Sequence, residues 1–520
     1  VIKAYRNLSR LASIARVLAR YDALFLLEEN FPPARLVSWP LKIRPPRLGR
    51  RRAIAAQRPG ERLALALAEL GPSFIKLGQA LSTRPDLLGE QMAADLSGLQ
   101  DRLPPFPAEQ ARKIIEEELG GPLDQFYSAF DDTPVAAASI AQVHRATTIE
   151  GRDVAVKVLR PGVAAKFRRD IDLLLWMAQT AERALPRLRR LKPLETVRTF
   201  EESVNLEMDL RFEAAAAAEL ADNFRGDDSF RVPEVDWVRT GKRVMTLEWV
   251  QGTPIDERDT LVRAGHNPTA IVGKAAEAFF NQVFRDGFFH ADMHPGNLFV
   301  DSNGNLVAVD FGIMGRIDQS TRRFLGEMLL GFLSADYRKV AEVHFAAGYV
   351  PPDQSIDAFT QACRSIAEPI LGRPMHEISI ARLLGQLFQI TETFAMETQP
   401  QLLLLQKSML VAEGVGRNLD ADVNMWQLAQ PLIETWMRAN LGPEARIRAV
   451  AGTVAESIER LPRLLRETER TYAMLQGSGL RLHPETVKAL AADQRRGGRV
   501  AMIVLPWLVA AGLAVALLLK

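Results

Sequence analysis

Four residues of the 520-residue chain have the types and the order that phosphoryl transfer needs: Lys157, Asp292, Asn297 and Asp310. Lys157 sits in the run VAVKV, where an ammonium among apolar neighbours is costly unless phosphates and a carboxylate meet it. Asp292 and Asn297 lie five residues apart in HADMHPGN, and Asp310 opens Asp310-Phe311-Gly312 thirteen residues beyond Asn297. A carboxylate can take a proton from a hydroxyl or water, while an amide and a second carboxylate offer oxygen ligands to Mg²⁺. Each residue alone is ordinary, since a lysine on an exposed strand face is the default; the ordered set is not. A zinc-hydrolase reading of His290 and His294 fails. That motif needs a helix with Glu after the first His, and Pro295-Gly296 makes this segment a loop.

The two separations equal those between the catalytic Asp, the metal-binding Asn and the metal-binding Asp of the protein-kinase signature, which the chain resembles here. The expected fold class is α+β, two-lobed and kinase-like. The residues 134–158 read as a hairpin turning at Glu150-Gly151, with Val154, Val156 and Val158 on one face and Ala155 and Lys157 on the other. Helical periodicity covers 61–119 with breaks at Gly71-Pro72 and 103–107, then 170–185, 196–224 and 271–285, and most of the last 180 residues. A strand over 243–250 ends at Gln251-Gly252.

Composition excludes several classes. Near-balanced charge, 65 Lys+Arg against 63 Asp+Glu, with 47% hydrophobic residues is globular, neither disordered nor a polytopic transporter. One cysteine, Cys363, permits no intramolecular disulfide and reads as a small buried residue. The balance hides a basic arm, with thirteen Lys or Arg against three acids in residues 1–60. The run 500–519 is uncharged and long enough to cross a bilayer, and Arg495, Arg496 and Arg499 before it place the preceding body on the cytoplasmic side. Nucleic acid is set aside, because the arm lacks interleaved aromatics.

Three further motifs sharpen the resemblance. Where a glycine-rich phosphate loop belongs, the chain has Ala136-Ala137-Ala138-Ser139-Ile140-Ala141-Gln142-Val143-His144. Upstream stands Lys76-Leu77-Gly78-Gln79, downstream Glu207-Met208-Asp209 followed by Glu213. Together these resemble the UbiB family, the ADCK-type atypical kinases of ubiquinone biosynthesis, over nearly the whole chain. The resemblance implies an atypical protein-kinase-like fold with an N-terminal helical extension and a C-terminal transmembrane helix, where bacterial members usually suggest two. The expected divisions are an arm at 1–60, a helical extension at 61–120, a kinase-like domain at 121–340 with its N-lobe to about 250, a helical part at 341–494 and the anchor at 500–519.

By the same resemblance Lys157 pairs with Glu213 and the phosphates of ATP or ADP, Asp292 accepts the proton, and Asn297 and Asp310 hold Mg²⁺. The alanine loop cradles the nucleotide, read here as a stiff, helix-like start, and Glu248 and Val250 offer hinge backbone to adenine. Lys76 and Gln79 engage Glu207 and Asp209 above the site in a regulatory role. A lysine in the apolar helix FIKLGQALS independently needs a carboxylate if it is buried. The implied function is an Mg²⁺-dependent ATPase or small-molecule kinase at the bacterial inner membrane. Its implied partners are anionic membrane lipid, prenylated quinone precursors and other enzymes of ubiquinone biosynthesis, with a homodimer left open. A protein kinase and a nucleotide-binding lipid scaffold without turnover are the alternatives.

Overall fold

The structure is a computed structural model and describes residues 2–23, 57–82, 90–97, 99, 103–184, 193–227, 229–369, 390–391, 393–396, 400–420 and 425–441. Alternating valines dictate its first sheet. β4 (Asp153–Leu159) buries Val154, Val156 and Val158 against Ile114 and Ile115 of α5 (Ala108–Leu119), which leaves Ala155 and Lys157 on the opposite face. β3 (Ala141–Thr148) pairs with β4 in the register Val143↔Lys157, and β6 (Val244–Glu248) lies on its other side with Met245 opposite Lys157. β1 (Tyr127–Phe130) and β2 (Ala136–Ala137) complete this antiparallel sheet on β3. The hairpin turns at Glu150-Gly151 as expected, with Gly151 at φ +84°.

The second lobe grows from short strands that flank the loop residues. β9 (Leu298–Val300) and β10 (Leu306–Ala308) form an antiparallel hairpin, with β7 (Thr253–Pro254) beside β9 and β5 (Phe230–Arg231) parallel to β10. β8 (Phe288–His290) pairs with β11 (Met314–Arg316). Beneath them, after the short α9 (Arg258–Arg263), lies α10 (Pro268–Phe280), started by Asn267, whose side chain accepts from the Thr269 N–H. The helix expected over 271–285 therefore begins earlier, and its last stretch, Asn281–Asp286, is a π turn. One core joins Phe279, Phe280, Phe284, Phe289 and Phe311 to Leu210, Ala214, Ala217 and Leu220 of α8 (Leu210–Asn223).

The continuous helix expected over 196–224 is two helices, α7 (Pro193–Glu207) and α8. Asp209 between them is extended, and its carboxylate accepts the Arg211 N–H, so a strong N-cap wins over the helical propensity on both sides. The expected break at Gly71-Pro72 separates α2 (Pro59–Leu70) from α3 (Pro72–Ser82). Leu63 and Leu67 of α2 pack with Phe74 and Ile75 of α3, Ile14 of α1 (Ile2–Arg20), Leu96 of α4 (Glu90–Ser97) and Leu173 of α6 (Val163–Ala184). Gly78 permits this approach, because a Cβ there would meet Leu67 Cδ1 at 2.8 Å. An Arg10–Asp170 ion pair at 2.9 Å ties α1 to α6.

Further helices follow: α11 (Gln319–Leu333), α12 (Tyr337–Ala346), α13 (Ile356–Ala367), α14 (Pro400–Leu419) and α15 (Met425–Leu441). Cys363 is buried on α13. Leu402 to Leu405 lie on α14, with Leu405 buried in the main core. Among the described residues no helix is long and apolar enough to cross a membrane. The apolar run 500–519 and the connector after Ala23 lie outside the described residues.

Candidate active site

Lys157 leaves its strand on the face away from the valines and meets α8. Its Nζ lies 2.5 Å from Glu213 Oε1 and 3.3 Å from Asp310 Oδ2, with only 14% of its side chain exposed. Burial alone would lower the pKa of this ammonium. The Asp310 and Glu213 carboxylates overcome burial and push Lys157 above its usual range. For Asp310, burial works in the raising direction, but the Lys157 ammonium, the Gly312 N–H and the Lys76 charge hold it well below the usual carboxylate range. Burial pushes Glu213 up, with Lys157 restraining it.

The loop is built around a neutral histidine. His290 is buried, its Nδ1 accepts the Asp292 N–H at 3.1 Å, and its Nε2–H therefore donates to the Asp310 carbonyl. Desolvation lowers its pKa and keeps it neutral. The Gln282 side chain accepts the His290 N–H at 2.8 Å, and Phe311 sets its ring edge against the imidazole at 5.9 Å. Asn297 is fixed from both ends: its Nδ2 donates to the Asp292 carbonyl at 3.1 Å, and its own carbonyl accepts the Val309 N–H at 3.1 Å. That brings Asn297 beside Asp310 at the end of the β9–β10 hairpin. The second histidine, His294, is exposed, and its Nδ1 accepts the Gly296 N–H at 3.2 Å, closing the turn.

The alanine segment is a tight hairpin, not the helix-like start its composition suggested. Ala137 pairs with Gln142, and the Ala138 N–H donates to the Ala141 carbonyl at 2.8 Å, which puts Ser139 and Ile140 at the tip. Arg160 decides this shape. Its N–H donates to the Ile140 carbonyl at 2.8 Å, and its Nε donates to the Ala138 carbonyl at 2.9 Å. Ser139 is fully buried, and among the described residues its hydroxyl has no hydrogen-bond partner. Within β3, Val143 shares the Lys157 face, whereas Gln142 and His144 turn inward. Gln142 Nε2 donates to His144 Nε2 at 2.8 Å and its Oε1 accepts the Phe106 N–H at 3.0 Å, while His144 Nδ1–H donates to the Asp131 carbonyl at 2.8 Å. Burial holds His144 below its ordinary pKa. At the end of β6, the Glu248 N–H donates to the Glu234 carbonyl at 2.8 Å and its carboxylate pairs with Arg231. Val250 follows, half-buried.

Lys76 is the half-hidden lysine that the helix pattern required to be paired. Its Nζ lies 2.8 Å from Glu207 Oε2, with 12% and 15% of the two side chains exposed. Asp209 turns instead to Arg211, which grips it at 2.8 and 2.6 Å. The half-buried Gln79 carbonyl accepts the Ser82 hydroxyl at 2.7 Å. Two residues that no sequence pattern marked also converge here: Arg160, and Lys407 of α14, whose Nζ is 2.9 Å from Asp292 Oδ1.

The donor set suits a nucleotide with Mg²⁺. Asp310 keeps 44% of its side chain open beside a buried ammonium, and among the described residues nothing engages the Asn297 side-chain oxygen, whose Nδ2 donates, or the buried Ser139 hydroxyl. Mg²⁺ held by Asn297 and Asp310 would neutralise phosphate charge.

These residues lie in a kinase-like fold that carries an alanine-rich hairpin beside the Lys157 strand. An ABC1 atypical kinase-like domain matches residues 98–344, and a UbiB helical domain matches residues 363–424. "Probable protein kinase UbiB" of Marinobacter nauticus is 42% identical over 483 residues, spanning 91% of this chain and 86% of the relative. The Aliivibrio fischeri protein of the same name is 40% identical, spanning 88% and 84%. The structure of the Rv3197–erythromycin complex from Mycobacterium tuberculosis superposes with a TM-score of 0.51 at 27% identity, covering 71% of this chain and 93% of that one. The chain belongs to the UbiB family of atypical kinases.

Proposed function

We propose that this chain is an Mg²⁺-dependent ATPase or atypical small-molecule kinase that works at the bacterial inner membrane. There it makes prenylated intermediates of ubiquinone biosynthesis accessible to soluble enzymes. In this reading Lys157, oriented by Glu213, holds the nucleotide phosphates, Asp292 takes the acceptor's proton, and Asn297 and Asp310 hold Mg²⁺. The alanine hairpin covers the phosphates, and the backbone at Glu248 and Val250 receives adenine.

The observation that carries the reading is Lys76. A lysine of the helical extension is locked to Glu207 at 2.8 Å, and its charge adds, behind that of Lys157, to what holds Asp310 low. A site flanked by its own chain favours water or a small acceptor over a protein segment. The erythromycin in the Mycobacterium tuberculosis relative supports a small-molecule reading as well. The membrane part rests on the basic arm and the apolar run 500–519.

The test is phosphate release from MgATP by the full chain, with and without anionic vesicles carrying a prenylated phenol. Stimulation by the vesicles that Asp310→Asn abolishes supports the reading. Transfer of phosphate to an added protein at stoichiometric levels favours the protein kinase that the relatives' name describes. Nucleotide binding without turnover favours the scaffold.

A further inference from the structure

The carboxylate at the head of the catalytic loop is met by a cation from outside the kinase-like region. The loop from His290 to Asn297 contains no Lys or Arg. Its Asp292 Oδ1 is instead reached by Lys407 Nζ at 2.9 Å, from 115 residues further along the chain. The two side chains are 34% and 33% exposed, so the pair is solvent-accessible and not sealed in the core.

The helix that delivers Lys407 is firmly seated. Leu405, Val415 and Leu419 of α14 are buried in the main core. Its C-terminal end is fastened where Arg258 Nε donates to the Leu419 carbonyl at 2.9 Å and Asn418 Nδ2 donates to the Asp256 carbonyl at 3.1 Å. Thr269 Oγ1 adds a bond to Asp420 at 2.6 Å. Next to Lys407, Ser408 is fully buried and donates to the Leu404 carbonyl, so the lysine leaves from a fixed turn. The fixed turn spares the backbone part of the entropy cost, so only the lysine's own rotamers are ordered by holding its partner.

We propose that Lys407 is a positioning residue for phosphoryl transfer, acting through Asp292. It occupies Oδ1, which leaves Oδ2 for the acceptor's proton. It also cancels the carboxylate charge where a polyphosphate anion must come close, since like charges there oppose both binding and in-line approach. Because Lys407 lies in the segment matching the UbiB helical domain, the helical region completes a loop that belongs to the kinase-like one. This role rests on the ATP-turnover reading above.

The experiment uses the full chain with Lys407→Met, Lys407→Arg and Lys407→Gln. In Lys407→Met, kcat for MgATP falls about 10–100-fold while the dissociation constant of a fluorescent ADP analogue stays within about threefold, and Lys407→Arg recovers most of the loss. A wild-type kcat in Lys407→Met overturns the inference, as does a loss carried wholly by nucleotide affinity. A second readout needs no turnover. Hydrogen exchange over residues 290–297 speeds up in a nucleotide-free Lys407→Gln chain, because the loop loses the tether that the seated α14 provides. Unchanged exchange overturns the inference even if Lys407→Met fails to fold. A wild-type chain without turnover refutes the ATPase reading alone and leaves the exchange measurement to decide the tether.

Discussion

Replacing Lys157 by Met removes the cation shared by Glu213 and Asp310, and the structure sets the size of the loss. At 2.5 Å and an effective dielectric of about 20, the attraction to Glu213 is roughly 7 kcal/mol, and at 3.3 Å that to Asp310 is roughly 5 kcal/mol. Most of this offsets desolvation, and water screens Asp310, so the net cost of removing one partner of a buried pair is about 3–5 kcal/mol. At the roughly 2–4 °C per kcal/mol of a domain of this size, this lowers Tm by about 6–20 °C.

The loss also depends on pH, through Glu213. Burial already raises this carboxyl, and without Lys157 only the long Phe311 N–H bond still restrains the rise. An acid whose folded-state pKa exceeds its unfolded one contributes stability fully below the unfolded value and loses it as pH rises through the folded value. The gap between wild type and Lys157→Met therefore widens between pH 5.5 and pH 8. Adding Glu213→Gln to the variant removes the buried charge and closes much of the gap at pH 8. Thermal melts at both pH values read this directly. A gap that ignores pH, or a double variant no more stable than Lys157→Met, refutes the reasoning.

Other outcomes follow from single contacts. Lys76→Ala leaves Glu207 unpaired at 15% exposure, costs about 1–3 kcal/mol and increases phosphorylation of the chain itself, read by melting and by radiolabelled ATP. Ala138→Gly loosens the hairpin that Arg160 holds, costs about 0.5–1 kcal/mol and changes the affinity for a fluorescent ADP analogue; an unchanged affinity removes the loop's role. Gly78→Ala forces a Cβ to within 2.8 Å of Leu67 Cδ1 and destabilises the extension by about 1–3 kcal/mol, visible as a lower Tm.

What the sequence made legible was local. Asp292, Asn297 and Asp310 lie within nineteen residues on one loop and hairpin, so their spacing alone carries their neighbourhood. The valines of β4 told which way Lys157 faces, because strand periodicity assigns a face to every residue. The partner of that lysine, 56 residues away on α8, came from resemblance and not from pattern. Long-range partners without a motif stayed hidden. Lys407 looks like any polar position on an amphipathic helix, and Arg160 like any residue after a strand, until folding sets them against Asp292 and the Ala138 carbonyl. Asp209 was misread for a different reason: the helix formers on both sides masked a cap that only backbone geometry reveals.

The central claim is that Lys157, Asp292, Asn297 and Asp310 form a working phosphoryl-transfer site. Its most direct test is phosphate release from ATP by the wild type and by Asp310→Asn, each with Mg²⁺ and with EDTA. The account predicts release by the wild type with Mg²⁺ and only background in the other three conditions. Equal release from both proteins, or release that persists in EDTA, would contradict it.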